Sequence, residues 1–235
     1  KANKELIETC EDAGMRLIDD YENLWDAKSY SIAIDELIFG CRAIRATNSF
    51  EKYNFPVGLE NCRGGNCPTQ TLVDAYELKD SGERPDKKAD YDKNKPYYEG
   101  RDPRFEKTIA KNGDTKWPNW NETALETYQG GANAEPLSGG TPTGYYLKKY
   151  CQTSINTTTA KPTTDNHTWI IYRLGEFYLN YAEALFKYLG TAYATNNEFP
   201  IPANEMVSKT RRRTKVNMPK FPAGLDNKLW WEKYQ

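Results

Sequence analysis

The chain has 235 residues, enough to bury a core in one large domain or two small ones. Apolar residues make up 38% and charged residues 28%, and 32 basic side chains nearly balance 33 acidic ones, for a net charge of −1. That balance excludes electrostatic steering to nucleic acid or to an anionic membrane, and no apolar run is long enough to cross a bilayer.

Residues 3–13 read as a helix, with Leu6, Ile7 and Cys10 at helical spacing and Gly14 as its stop. No signal peptide opens the sequence, and Lys1 begins in helical character, so the native start is expected upstream. Leu17, Tyr21, Leu24 and Trp25 give a second, short helical set. The dense apolar stretch 31–44 fits a buried strand or a buried helix equally. Residues 45–67 then read as a long irregular loop, rich in Asn, Gly and aromatics and broken by Pro56.

Pro68 opens a further helix through Leu72, Val73 and Tyr76, and 80–96 is a charged linker. Asn112-Gly113 is a hairpin turn signal, residues 121–167 are dominated by loops, and within them 144–150 is strand-like. The clearest element runs from Trp169 to Leu189. Ile171, Leu174, Tyr178, Tyr181, Ala182, Leu185 and Leu189 fall on one helical face, and Gly190 ends it. A second helix is predicted over Ala203–Lys215 and a third from about Leu225. The short connection between the first two predicts a packed pair.

Aromatic residues carry much of the apolar mass: 17 Tyr, 8 Phe and 6 Trp. Such rings serve wet surfaces as well as cores, so the composition fits either a binding face for sugars or a helical core that uses Tyr in place of Leu. Stacking on sugar rings needs exposed aromatic faces flanked by Asn, Asp, Arg or Gln. Two loops offer this. One holds Phe50, Tyr53 and Phe55 with Asn48, Asn54 and Arg63; the other holds Trp117 and Trp120 with Asn112, Asp114 and Asn119, stiffened by Pro118. Tyr53, Phe55, Trp117, Asn119 and Trp120 are the candidate ligand contacts; for each ring the competing role is core packing.

Other constellations have plainer readings. Of five cysteines, Cys62 and Cys67 are close enough in sequence for a small disulfide loop, which would imply an oxidising compartment; free thiols are the alternative. One His and scattered Cys do not supply a metal site, and no cofactor motif is present. Arg101-Asp102-Pro103-Arg104 reads as a fold-building ion-pair turn, and Arg173 and Glu176 can pair along a helix. Lys209, Arg211, Arg212, Arg213 and Lys215 are the cationic end of a helix rather than an anion-binding patch.

Four ordered stretches resemble the SusD/RagB family. They are Pro68 to Glu77, Tyr97 to Phe105, Tyr146 to Tyr150, and Ile171 to Ala184. The last is similar to the family's Arg-x-x-Glu-x-x-Leu-Asn-x-Ala-Glu-Ala helix, with Leu174 and Gly175 where Tyr and Ala are usual. The resemblance implies a mainly α, tetratricopeptide-like helical-repeat scaffold with long loops and small β-hairpins. It implies one domain over 1–235, truncated at both ends, with the motifs in 68–184. It further implies a non-catalytic, outward-facing outer-membrane lipoprotein that binds oligosaccharides, or in some relatives peptides, for a SusC-like TonB-dependent transporter. Its lipid anchor would precede Lys1, and part of its ligand site would lie in segments absent from this chain. The alternatives are a glycoside hydrolase, which needs two facing carboxylates that no motif marks, and a helical-repeat interaction scaffold, which would have shorter loops.

Overall fold

The computed structural model describes residues 1–85 and 98–235; the predicted linker beyond residue 85 and Tyr97 lie outside the described residues. Helices dominate. They are α1 (Ala2–Asp12), α2 (Tyr30–Ala33), α3 (Ser49–Asn54), α4 (Gln70–Ala75), α5 (Pro103–Thr108), α6 (Leu174–Leu189), α7 (Ala203–Arg211) and α8 (Asn227–Tyr234). Two antiparallel ribbons accompany them: β1 (Leu37–Arg42) with β4 (Thr168–Arg173), and β2 (Ile109–Ala110) with β3 (Tyr146–Leu147).

The helical core follows from the apolar face of α6. Leu174, Tyr178, Tyr181, Ala182 and Leu185 meet Ile7 and Cys10 of α1, Ala203, Met206 and Val207 of α7, and Trp230 of α8. Gly190 ends α6 in the left-handed conformation (φ 70°) and returns its N–H to Phe186. Trp230 stacks on Phe186, with ring centroids 4.6 Å apart.

Four predicted elements change. The helix expected from Trp169 begins only at Leu174, because Trp169, Ile170 and Tyr172 pair with β1 as strand, with Ile171 at a shift in the register. β-branched and aromatic residues favour that state. Asn112-Gly113 makes a turn (Gly113 φ 83°), but Ile109 and Ala110 pair with Leu147 and Tyr146 instead of closing a local hairpin. The loop predicted over 45–67 contains α3. α7 ends at Arg211, short of the predicted Lys215.

The two halves of the chain are tied by one buried ion cluster. Glu36 is wholly buried (0% exposed) and accepts Ile18 N–H at 3.0 Å, Arg213 Nη2 at 2.6 Å and Arg173 Nη1 at 3.0 Å; Arg213 Nη1 bonds its other oxygen. Arg173 therefore pairs across the fold with Glu36, not along its own helix. Burial alone would raise the Glu36 pKa, but the Arg213 hydrogen bonds and charge, with Arg173, hold it below its ordinary value. Gly175 stands directly against both guanidinium groups and the Glu36 carboxylate, and a Cβ there would overlap them. The glycine makes room for the ions.

The other cations of the 209–215 cluster are matched as well. Lys209 reaches Glu11 at 3.2 Å, Arg211 reaches Glu77 at 2.5 Å, Lys215 reaches Asp20 at 3.4 Å, and Arg212 pairs with Glu205. Lys209 ties α7 to α1, Arg211 and Lys215 tie α7 and its exit to flanking segments, and Arg212 pairs back along α7, so among the described residues they leave no open basic patch along α7. The 101–104 turn is built as expected. Asp102 caps α5 through Arg104 N–H, Pro103 starts the helix, and Arg104 pairs with Asp102 at 2.6 Å.

Candidate functional site

The second core lies under the loops. Phe55 (0% exposed) meets Trp117 (5% exposed) edge to face, with centroids 5.3 Å apart, and Val57, Leu125, Tyr146 and Cys151 complete it. The two predicted aromatic loops do converge, but through these inward rings. Phe55 and Trp117 are core residues and present no face to a ligand. Trp120 is half-buried and donates its indole N–H to Ile155 O at 2.9 Å. Asn119 is exposed, with its backbone N–H on Thr153 O. Asp114 is committed to Lys111 and Lys148, each at 2.6 Å.

Tyr53 is placed differently. It lies on α3, whose inner side is anchored by buried polar residues. Glu51 accepts Gln152 N–H at 2.8 Å and meets His167 Nε2 at 2.8 Å, while Asn54 bonds Phe50 O and Asn66. Phe50 packs beside His167 and Trp169. With Glu51, Asn54 and Phe55 turned inward, Ser49, Lys52 and Tyr53 face out.

The chain then returns along α3: Gly64 N–H donates to Phe55 O at 2.9 Å and Gly65 N–H to Tyr53 O at 2.7 Å. Tyr53 is 52% exposed, and its ring is backed by Gly65, where a Cβ would collide with the ring carbons. A Gly65→Ala variant is expected to lose about 1–3 kcal/mol by overpacking. Adding Tyr53→Ala should restore most of that, a coupling that a double-mutant unfolding cycle measures.

Around Tyr53 lies a recess of about 600 Å³ lined by Ser49, Lys52, Tyr53, Asn61, Cys62 and Arg63. That volume is within the range of small-ligand pockets. Its outer wall is fixed by the Thr-rich segment: Asn61 Nδ2 donates to Thr157 O at 2.8 Å, and Thr159 N–H donates to Glu60 Oε1 at 2.7 Å. The predicted Cys62–Cys67 disulfide is not formed. Cys62 Sγ bonds Glu60 O and Thr157, and Cys67 Sγ bonds Gly64 O, because the Gly64–Gly65 return along α3 turns each thiol to a carbonyl. Burial pushes the Cys62 thiol up to about 11, so it is a protonated wall group and not a nucleophile.

Sequence reasoning found Tyr53 and Arg63 and missed Ser49, Lys52 and Asn61. The i, i+3, i+4 spacing of Ser49, Lys52 and Tyr53 is a usable signal once the segment is recognised as helix.

A larger recess, about 660 Å³, opens between α4 and the C-terminal helices. Most of its charges are matched internally, Arg211 and Lys233 with Glu77, and Arg104 with Asp102, while Arg84 lies exposed in its lining. Among the described residues, no three Asp, Glu, His or Cys side chains converge to hold a metal ion. No helix there is long and apolar enough to cross a membrane.

Fold and site together define a helical protein with short two-stranded ribbons, whose loops form a polar recess around one exposed ring. The chain belongs to the SusD family, whose sequence model matches residues 36–223. It is similar in structure to a SusD-like protein of Bacteroides fragilis NCTC 9343, with 22% identity and a TM-score of 0.73, over 99% of this chain and 48% of that one. It is also similar to a SusD-like carbohydrate-binding protein of the same organism, with 20% identity and a TM-score of 0.74, over 99% of this chain and 44% of that one. The chain thus spans about half the length of these structures, and identities this low carry the fold alone. No curated protein matches its sequence.

Proposed function

We propose that this chain captures oligosaccharides at the cell surface without cleaving them, for delivery to a SusC-like TonB-dependent transporter. On this reading it is part of a single larger domain, held to the outer membrane by an N-terminal lipid anchor. One observation carries the reading: the Tyr53 ring, braced by Gly65 and half exposed, stands in a recess edged by Arg63, Asn61, Lys52 and Ser49. A rigid aromatic face with donors beside it is what a sugar ring stacks on and bonds to. Membership of the SusD family supports the reading, as does the carbohydrate-binding relative of like fold. Trp120 and Asn119, on the neighbouring loop, are proposed as secondary contacts.

The non-catalytic reading is favoured over a glycosidase because none of the residues lining the Tyr53 recess is a carboxylate, and sugar hydrolysis needs a facing pair. Calorimetry against a panel of plant, host and microbial oligosaccharides tests the proposal. Tyr53→Ala is expected to weaken binding by about 2 kcal/mol, roughly thirtyfold, as loss of an aromatic anchor does, and the sugars should be recovered intact. Unchanged affinity in that variant would move the site elsewhere, and release of shorter sugars would overturn non-catalytic capture.

A further inference from the structure

We propose that the Tyr53 recess selects anionic oligosaccharides, chains that carry carboxylate or sulfate groups; this rests on the capture reading and names its ligand class. Two of the six lining residues are cations, Lys52 and Arg63. Among the described residues neither has an acidic partner, in contrast to Lys209, Arg211, Arg212 and Arg213 around α7 and to Lys233 in the larger recess. A charge matched within the fold serves the fold. Two unmatched cations facing one cavity create a local positive potential on a chain whose net charge is only −1.

The nearby acids Glu51 and Glu60 are felt at the Cys62 wall, where they oppose Lys52, but neither lines the cavity. Glu51 turns inward to His167 and Gln152, and Glu60 accepts Thr159 N–H. Helix carbonyls would also repel an anion, but three of those in α3 are occupied. Phe50 O accepts Asn54 Nδ2, Glu51 O accepts Phe55 N–H, and Tyr53 O accepts Gly65 N–H. The charged groups that line the recess are thus a guanidinium and an ammonium, beside the Tyr53 ring.

Arg63 can hold a planar carboxylate or a sulfate through two parallel N–H bonds, and Lys52 adds a point charge. Tyr53 takes the apolar face of the same or the next sugar ring. A neutral glycan would leave both cations without a counter-charge, so the recess discriminates by charge as well as by shape.

Matched pairs of sugars test this by calorimetry on the whole chain. One pair is an oligogalacturonate and its carboxyl-reduced form; the other is a sulfated oligosaccharide and its desulfated form. At low salt the acidic member of at least one pair is expected to bind about tenfold or more tightly than its neutral partner. The gap should narrow as salt is raised and collapse in Lys52→Gln, Arg63→Gln. Which pair responds tells carboxylate from sulfate. Both replaced side chains lie at the surface, and an unchanged melting temperature verifies that the variant is folded. Equal binding within both pairs, or a gap that survives the double variant, overturns anion selection. Neutral binding that Tyr53→Ala abolishes would then leave glycan capture standing, whereas no binding by any of the four sugars overturns both.

Discussion

Replacing Arg213 by alanine is expected to cost about 3–5 kcal/mol of folding stability, the penalty for stranding a buried charge. The Arg213 side chain is 2% exposed and Glu36 is 0% exposed, so water cannot take the arginine's place. The variant leaves Glu36 with Arg173 at 3.0 Å and Ile18 N–H, and it leaves Ile18 O without the Arg213 donor. In a chain of this size the loss corresponds to a fall of roughly 6–20 °C in melting temperature. Arg173→Ala should cost less, because that side chain is 23% exposed. Denaturant unfolding of both variants, beside Glu36→Leu, Arg213→Met, checks the cause. The apolar pair should recover part of the loss, since hydrophobic residues replace buried ions at little cost, although Ile18 N–H, Ile18 O and Arg173 lose their partners.

The same cluster sets an acid limit. The Glu36 pKa is held below its ordinary value of 4.5, so its contribution is complete above that pH and is lost as pH falls through the lowered folded value. Wild type should therefore lose stability more steeply than Glu36→Leu, Arg213→Met below about pH 4.5.

Trp117→Ala is expected to be as damaging, at about 3–5 kcal/mol, because it empties a large volume at the centre of the loop core. The ring is in edge contact with Phe55, and Lys148 Nζ lies 5.7 Å above it. Its indole N–H has no partner among the described residues, so Trp117→Phe forfeits no hydrogen bond and should retain much of the stability. Trp120→Ala, at the rim, should cost less. Urea unfolding separates these cases. A ligand-binding defect in Trp117→Ala counts as evidence about the site only after its folded fraction is known.

The long helix was legible because α6 carries its own period. Leu174, Tyr178, Tyr181 and Leu185 announce one buried face, and Gly190 announces the stop. The segment before it was not, since Trp169 to Tyr172 continue the apolar run and only pairing with β1 makes them strand. α3 was hidden for the opposite reason. Its buried positions include Glu51, made tolerable inside by Gln152 and His167 far along the chain, and Asn54, satisfied by Phe50 and Asn66. The aromatic loops were legible as places but not as orientations. Composition marks Tyr53, Phe55 and Trp117 alike, yet the fold leaves the Tyr53 ring outside and buries the other two, with Gly64 and Gly65 returning along α3 beside Phe55 and Tyr53.

The Glu36 cluster also constrains the order in which the molecule can be made. Its acid and its two bases are separated by 137 and 177 residues, so a chain emerging N-terminus first carries the carboxylate long before either counter-charge exists. Until Arg213 arrives, Glu36 must stay in water, and Ile18 and β1, which are joined to it, must stay loose with it. The α1–β1 region is thus expected not to settle early into a partial core. Closure waits for α6 and α7, and becomes a single late step with a large loop-closure entropy to overcome.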